Sequence, residues 1–576
     1  MTQRWRLSDG GAIDRSRPLA FTYDGVRYEG YAGDTLASAL LANGVHLVGR
    51  SFKYHRPRGI VTAGVEEPCA LVQLGEGARS EPNMRATTIE LFDGLVACSQ
   101  NCWPSVRFDL GEIANMLSPL LPAGFYYKTF KWPPTPRWWM RYEHFIRRAA
   151  GMGRAASAPD PDRYEHQYAH CDVLVIGGGP AGLAAARRAA DSGVRVIVCQ
   201  QTTHFGDTSV DALAAHADVT LLPRTAAFGY YDGNLVAALE RIVDHQPENS
   251  DGNPRQRLWM IRTKAVVLAS GAIERGIAYG DNDLPGTFLA GAAHRYVTRY
   301  AVRLGSRAVV FTNNDSGYMA ALALHHATIP VAAIVDARRE SPSSDSWRAR
   351  ARYSGIDVRT GALIERAHGR HRVQRVKIVS RDGGNGATLD CDIVAVSGGY
   401  SPTVHLFSQA RGTLRYDETT ASFVPDASPM AIFPAGAVNG HCDVERAIAD
   451  GEAAADAALA RAGIPSRHAS STRAHERSDR LAVEPLWSVA ASAHTKRFVD
   501  LQTDVTVGDI ALAAREGYDA SEHLKRYTTL GMGTDQGKTS NVLGLALLAR
   551  EVGAPVTSIG TTTFRPPYTP VTLGAF

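Results

Sequence analysis

The spacing of hydrophobic positions changes several times along the chain, and each change marks a new element. In PLAFTYDGVRYEGYAGDTLASALLANGV, apolar and polar residues alternate about an Asp-Gly turn, so FTYDGVRYEGY predicts a hairpin. The next segment, DTLASALLANG, has helical spacing, with Asp34 as its expected cap and Gly44 as its stop. Prolines and aromatics then dominate LSPLLPAGFYYKTFKWPPTPRWWMRYEHF, which reads as a connector whose rings are expected to pack between domains of this chain, docking of a partner being the alternative. CDVLVIGGGPAGLAAARRAADSGVRVIVC reads strand, glycine turn, helix, strand, and RAVVFTNNDSGYMAALALHHATIPVAAIVDA repeats that layout. The polar stretch SRHASSTRAHERSDR predicts a linker, and two helical segments around a Gly-rich turn close the chain. The expected units are 1–110, a connector 111–170, an α/β unit 171–281 completed by 396–462, a second α/β unit 282–395, a linker 463–485 and a small helical unit 486–576.

Composition narrows the classes. A chain of 576 residues with 44% hydrophobic and 21% charged residues is globular and multidomain. Lys plus Arg total 62 against 58 acidic residues, too even a balance for a nucleic-acid binder. No apolar run approaches the length of a membrane span and the start, MTQRWRLSDGG, has no signal-like core, so no membrane partner and a cytoplasmic location are expected. The seven cysteines, at 69, 98, 102, 171, 199, 391 and 442, include no Cys-x-x-Cys pair, and no metal site is expected.

The glycine turns carry the candidate chemistry. Gly177, Gly179 and Gly182 follow the apolar strand VLVI and open a helix: a tight turn, an approach for a pyrophosphate, and close helix–strand packing. An acidic residue is expected at the end of the second strand, on the adenosine ribose; Gln200 and Gln201 stand there, and the following TTH offers no arginine for a 2′-phosphate, so NADP gains little. In the second unit Thr312 and Asn314 replace the first two glycines, with Gly317 third, predicting a structural loop. FPAGAVNGHCDVERAIADGEAAADAA has the layout of a flavoprotein closing segment, but Gly436-Ala437 lacks the acidic residue that would meet a flavin ribityl chain, which argues against FAD here.

The strings GRSFKYHRPRGI, SQNCWPS, AGFYYKTFKWP, AHCDVLVIGGGPAGLAAA, FTNNDSGY, KRYTTLGMGTDQGKTSN and GTTTFRPPYTP resemble the alpha subunit of heterotetrameric sarcosine oxidase over essentially the whole chain. The resemblance implies an α/β, two-dinucleotide-binding-domain, glutathione-reductase-like flavoprotein fold. It is flanked by an N-terminal β-grasp ferredoxin-like domain and a small helical C-terminal domain similar to bacterioferritin-associated ferredoxin. It implies an oxidoreductase complex that demethylates sarcosine to glycine, hydrogen peroxide and formaldehyde or methylene-tetrahydrofolate, with beta, gamma and delta-type partners and FAD in the beta subunit. NAD in the first Rossmann unit would touch Gly177, Gly179, Ala181, Gly182, Gln200, Gln201, Thr208 and Ala437. The segment after the glycine turn is shorter than the family pattern, and this chain stops at Phe576, before the family's aminomethyltransferase-like folate domain, as expected of a short form, a split gene or a truncated fragment.

The ferredoxin-like units lack the cysteine runs of their relatives. GRSFKYHRPRGI has none, Cys98 and Cys102 are expected to be buried structural thiols, and the four cysteine positions of the last unit fall on Asp500, Gln502, Asp535 and Ser540, so no iron–sulfur cluster is expected. The resemblance implies an FMN at the beta-subunit contact, and Gly533, Thr534 and Lys538 in GMGTDQGKTSN are candidates to hold its phosphate, a simple helix-connecting turn being the alternative. No residue is assigned a catalytic role, and His294, His405 and His523 read as structural. A stand-alone FAD/NAD(P)-dependent oxidoreductase, or a non-nucleotide-binding structural subunit of an amine or opine dehydrogenase complex, remain the alternatives.

Overall fold

The computed structural model describes residues 3–125, 128, 132–133, 135–151, 153–206, 210–246, 252–340, 346–383, 386–467, 482–492, 495–562 and 564–576. They form two compact units: Met1–Pro161 with Glu274–Gly399 and Val483–Thr561, and Asp162–Ile273 with Tyr400–Ala482 and Thr562–Phe576.

In the second unit Val173–Ile176 is apolar at every position and buried throughout, the signature of a strand covered on both faces. It ends the long strand Tyr164–Ile176, which pairs in parallel with Val196–Cys199 on one side and Gln256–Leu268 on the other. Gln256–Leu268 also meets the antiparallel Leu235–Arg241 over its first half and Ile432–Pro434 at its end. The alanine face of the helix Pro180–Asp191 lies on the helix Val444–Arg461. A Cβ at Gly451 would stand 2.0 Å from the Ala181 carbonyl oxygen, so the two helices touch at backbone distance. Residues 562–576 pack back on this sheet: Tyr568 donates its N–H to Phe228 and stacks on His405 with ring centroids 3.5 Å apart, consistent with a structural role for that histidine.

The first unit begins with a five-stranded mixed sheet in which Asp14–Tyr23 pairs antiparallel with Val26–Ala32 and parallel with Leu95–Ser99. Every residue of the helix Leu36–Ala42 is buried against it. Its cap is Thr35, in a reciprocal box with Ser38; Asp34, expected there, instead pairs with Arg6 and accepts from the Ser38 hydroxyl. A parallel five-stranded sheet, ordered Thr287–Leu289, Ile393–Ser397, Ala308–Thr312, Val331–Asp336, Val358–Thr360, follows the α/β alternation of the sequence. Three helices, Val507–Arg515, Ser521–Thr528 and Asn541–Val552, make the last cluster of apolar packing.

Two expectations change here. Cys98 is exposed and Cys102 only half-buried, because strand alternation in Leu95–Ser99 turns Leu95 and Ala97 inward and Cys98 out. The connector is not a set of packed anchors: Ile113, Met116 and Leu120 are exposed, as are Trp132, Met140 and Phe145, the last two on the helix Pro136–Ala150. No helix among the described residues is long and apolar enough to cross a membrane.

Arginines tie the segments of this unit together. Arg58, from the cysteine-free loop, is fully buried and its guanidinium bridges Asp283 and Asp504. Arg56 adds a fork onto Asp283 at 2.7 and 2.8 Å, and Asp504 accepts the N–H groups of Lys53 and Tyr54 at 3.0 and 2.9 Å. Burial pushes the Asp283 carboxyl up, but Arg56 and Arg58 outweigh it and hold its pKa at about 2.

Candidate functional site

The glycine turn of the second unit separates into one open position and two filled ones. Gly177 has φ 109°, and a Cβ there would lie 2.2 Å from the Ala269 carbonyl oxygen, so backbone conformation and space both require glycine. A Cβ at Gly182 would lie 1.8 Å from the Gly177 oxygen, which is how helix and turn close. Gly179, at the N-terminus of Pro180–Asp191, has nothing within 4 Å of such a Cβ. That open cradle beside free helix N–H groups fits a pyrophosphate. Ala181 is buried, its methyl 2.9 Å from where Gly436 would carry a Cβ; Ala437 is half-buried in the short turn Gly436–Asn439. Asp450, which the sequence did not single out, lies 3.4 Å from the Gly436 N–H.

At the adenosine end Gln200 turns back on the glycines: its Oε1 accepts the Gly178 N–H at 2.9 Å, and its Nε2 donates to Thr202 Oγ1 and the His204 carbonyl at 2.8 and 2.9 Å. Phe205 covers Gly178 on that side. Gln201 offers its backbone, whose carbonyl accepts from Arg241 Nη2 at 3.2 Å. Thr208 lies outside the described residues. Thus Gly177, Gly179, Ala181, Gly182, Gln200, Gln201 and Ala437 belong to one unit, and Arg241 joins them without any signal near the glycines in sequence.

In the second glycine turn Thr312 Oγ1 donates to the Asn314 carbonyl at 2.7 Å, and Asn314 Nδ2 donates to Ser397 Oγ at 3.0 Å. The loop satisfies itself with its own side chains, which leaves its backbone no opening of the Gly179 kind.

Asp500, Gln502, Asp535 and Ser540, expected to stand in for cysteines, do converge. Asp500 accepts from the N–H groups of Gln502 and Gly531 at 2.9 and 2.8 Å and from the Ser540 hydroxyl at 3.4 Å, while Gln502 accepts the Asp535 N–H at 3.0 Å. Around them, Thr534 Oγ1 accepts from Gln502 at 2.7 Å, the Thr534 carbonyl accepts from Arg85 at 2.5 Å, and the buried Lys538 ammonium donates to the Asp535 carbonyl at 3.1 Å. Gly533 packs on the Gln502 amide. Burial, then the neighbouring Asp500, raise the Asp535 carboxyl to about 7 against the pull of Lys538. Burial and Arg85 push the Lys538 ammonium down to about 7 against Asp535.

Comparison with known proteins matches three stretches of the chain. Residues 16–102 match the 2Fe-2S iron-sulfur cluster binding domain, 171–451 the pyridine nucleotide-disulphide oxidoreductase model and 494–576 the sarcosine oxidase A3 domain. The chain is 44% identical over 99% of its length to sarcosine oxidase subunit alpha of Rhizobium meliloti (strain 1021), covering 59% of that protein. It is 36% identical over 99% of its length to the Corynebacterium sp. (strain P-1) subunit, covering 57% of it. The chain thus spans a little over half the length of these relatives. L-proline dehydrogenase from P. horikoshii shares the fold along the whole chain, with TM-score 0.67 at 19% identity, covering 99% of that structure.

The match over 16–102 corrects the expectation of no iron–sulfur cluster, since the N-terminal domain belongs to a cluster-binding family. The ferredoxin-like character of this domain is read correctly from the sequence; what the match overturns is the inference from its sparse thiols to the loss of a cluster. Its thiols here are Cys69, buried, Cys102, half-buried, and Cys98, exposed. Cys69 lines a small cleft with Arg50, Ser51, Arg58, Gln100 and Gln502.

Proposed function

The chain belongs to the family of sarcosine oxidase alpha subunits, and on that premise we propose that it is the nucleotide-holding subunit of a sarcosine oxidase-type complex, an oxidoreductase of CH–NH donors. Sarcosine would be demethylated to glycine, formaldehyde or methylene-tetrahydrofolate, and hydrogen peroxide, on FAD held by a beta-type subunit, with gamma and delta-type subunits completing the assembly. The flavin supplies the two-electron oxidation of the amine. This chain's residues bind and position. Gly179 and the first N–H groups of Pro180–Asp191 would receive a dinucleotide pyrophosphate. Gly177 and Gly182 hold the turn, Ala181 and Ala437 line its floor, and the Gln200 and Gln201 positions face the adenosine ribose.

The loop carrying Gly533, Thr534 and Lys538 would support FMN at the beta-subunit contact. Two cations, Lys538 and Arg85, already converge on it, and both donate to its carbonyls. The exposed apolar side chains of the connector suit burial by a partner subunit.

The open Gly179 cradle carries this reading. Its test is to purify the chain alone and with its partner subunits and to identify heat-released nucleotides by mass spectrometry. A dinucleotide from the single chain supports it, and FMN appearing only with the beta partner supports the loop assignment. A structural subunit without nucleotide is favoured by one observation, the Gln200 and Phe205 contacts on Gly178; elution of nothing would establish it.

A further inference from the structure

The loop that leaves the N-terminal sheet has the composition of an interface. Beyond the strand Leu95–Ser99 the chain runs through WPSVRFDL, residues 103–110. Trp103 and Phe108 stand in solvent at 68% and 65% exposure, with Leu110 and Arg107 exposed beside them. Single exposed apolar side chains are ordinary, but here two aromatics and a leucine cluster around an arginine within one short loop. Aromatic residues and arginine are the types enriched at the centres of protein interfaces. The loop is also fixed in shape. Leu110 N–H donates to the Trp103 carbonyl at 2.8 Å and Ser105 N–H to the Phe108 carbonyl at 3.2 Å, while Phe108 N–H donates to Ser105 Oγ at 3.2 Å. From inside, the buried Asp109 accepts the Trp103 and Gly111 N–H groups at 3.0 and 3.1 Å and holds His55 Nδ1 at 2.7 Å. Burial raises the Asp109 carboxyl, and these bonds outweigh it and keep it below the ordinary range. Arg50, also buried, donates to the Val106 and Arg107 carbonyls at 2.8 and 3.4 Å.

The carboxylates around the loop are engaged by the chain itself. Glu112 meets Arg50 at 3.2 Å, and Asp24 accepts the N–H and hydroxyl of Ser99 at 2.7 and 3.0 Å. Arg107 and the hairpin residue Arg370 are exposed. Burial, then Arg50, Arg370 and Arg107, lower the half-buried His371 against the pull of Glu112, so the two exposed arginines border one edge of the loop.

We propose that residues 103–110 form a preformed docking knob, which inserts Trp103 and Phe108 into an apolar pocket of a partner subunit while Arg107 meets carboxylates on the pocket's rim. The proposal rests on the multisubunit reading above and gives it a second contact, on the N-terminal domain and not on the connector. Ordering the loop before contact removes an entropy cost from binding. A fixed, hydrogen-bonded geometry suits a shaped protein pocket, whereas a fluid bilayer demands none. The loop also runs on into Ile113 and Met116, whose exposed side chains suit the same kind of burial.

The test measures the affinity of the purified full chain for its co-expressed beta, gamma and delta-type subunits. Trp103→Ala with Phe108→Ala should weaken association about tenfold or more and leave the isolated chain's melting temperature unchanged, since both rings are exposed. Arg107→Glu should weaken it by a similar factor and reverse the loss of affinity that rising salt causes in the unsubstituted chain. Oxidative footprinting of the unsubstituted chain, free and assembled, should show Trp103 and Phe108 protected in the complex, and this readout stands even if a variant misfolds. Equal labelling in the two states, or unaltered affinity of well-folded variants, overturns the proposal and leaves the multisubunit reading standing. Binding to phosphatidylcholine–phosphatidylglycerol vesicles that is lost with Trp103→Ala, subunit affinity being unchanged, assigns the loop to a membrane and also overturns it. An unsubstituted chain that associates with none of the subunits overturns both.

Discussion

Two glycines three residues apart have opposite tolerances. A Cβ at Gly179 meets nothing within 4 Å, and its extended φ of −83° suits any residue, so Gly179→Val should leave the melting temperature within a degree or two while abolishing dinucleotide in the heat-release assay. Gly182→Ala drives a methyl to 1.8 Å from the Gly177 oxygen and should cost about 3 kcal/mol, the upper end of overpacking penalties, seen as early unfolding in urea. A melting temperature lowered equally by both would contradict the open cradle. Asp283 gives a second contrast. Asp283→Ala leaves Arg58 buried with one of its two carboxylates gone, and the loss expected is about 3–5 kcal/mol. Because the Asp283 pKa is depressed to about 2, its contribution is complete above the unfolded carboxylate range near pH 4 and is lost as pH falls through about 2. Resistance of the wild type to mild acid should therefore exceed that of the Asp283→Ala variant. At this scale the roles of Gly177 and Gly182 were legible because backbone geometry is local. The partners of Arg58 and the approach of Arg241 were not, since both depend on pairings between distant segments.

Among elements, the loop between Ser521–Thr528 and Asn541–Val552 is where the sequence said most and least. The sequence singled out Asp500, Gln502, Asp535 and Ser540 through an expected correspondence with cysteines, but not that the four would close into one buried polar cluster. Its titration has a definite sign. Asp535 binds its proton more tightly folded than unfolded, so the stabilisation is complete below about pH 4 and disappears as pH rises through about 7. Thermal melts between those limits should show stability falling with pH, and Asp535→Asn, which cannot ionise, should flatten that slope; an unchanged slope would assign the titration elsewhere. The connector behaves differently from its expected packing because nothing in its pattern distinguishes a face covered by its own domains from one left open. With Ile113 and Met116 at 62% and 80% exposure, Ile113→Lys and Met116→Lys together should leave the isolated chain's melt unchanged and reduce co-purification of a beta-type subunit at least tenfold. Undiminished co-purification would place the contact on another face.

For the molecule as a whole, alternating α/β patterning and the two glycine turns were enough to read the two nucleotide-fold sheets, and the ferredoxin-like hairpin and helix were also visible. What was not visible is that Met1–Pro161, Glu274–Gly399 and Val483–Thr561 share one compact unit. The chain leaves the first compact unit after Pro161, returns at Glu274, leaves again after Gly399 and returns at Val483, so segments contiguous in sequence are divided between cores. The expectation of no cluster in the N-terminal domain failed for another reason: its ferredoxin-like character was legible, but cysteine spacing was given more weight than the cluster-binding family it resembles.

The bridge from Arg58 to Asp504 spans 446 residues of chain. During synthesis, at roughly 5 to 20 residues per second, that gap corresponds to about 20 to 90 seconds between Arg58 and Asp504, and once Asp283 has been made the arginine still lacks half of its counter-charge. The sheet that carries Arg58 is thus made well before the buried charge it depends on is complete, and its packing is finished only once the segment carrying Asp504 has been made.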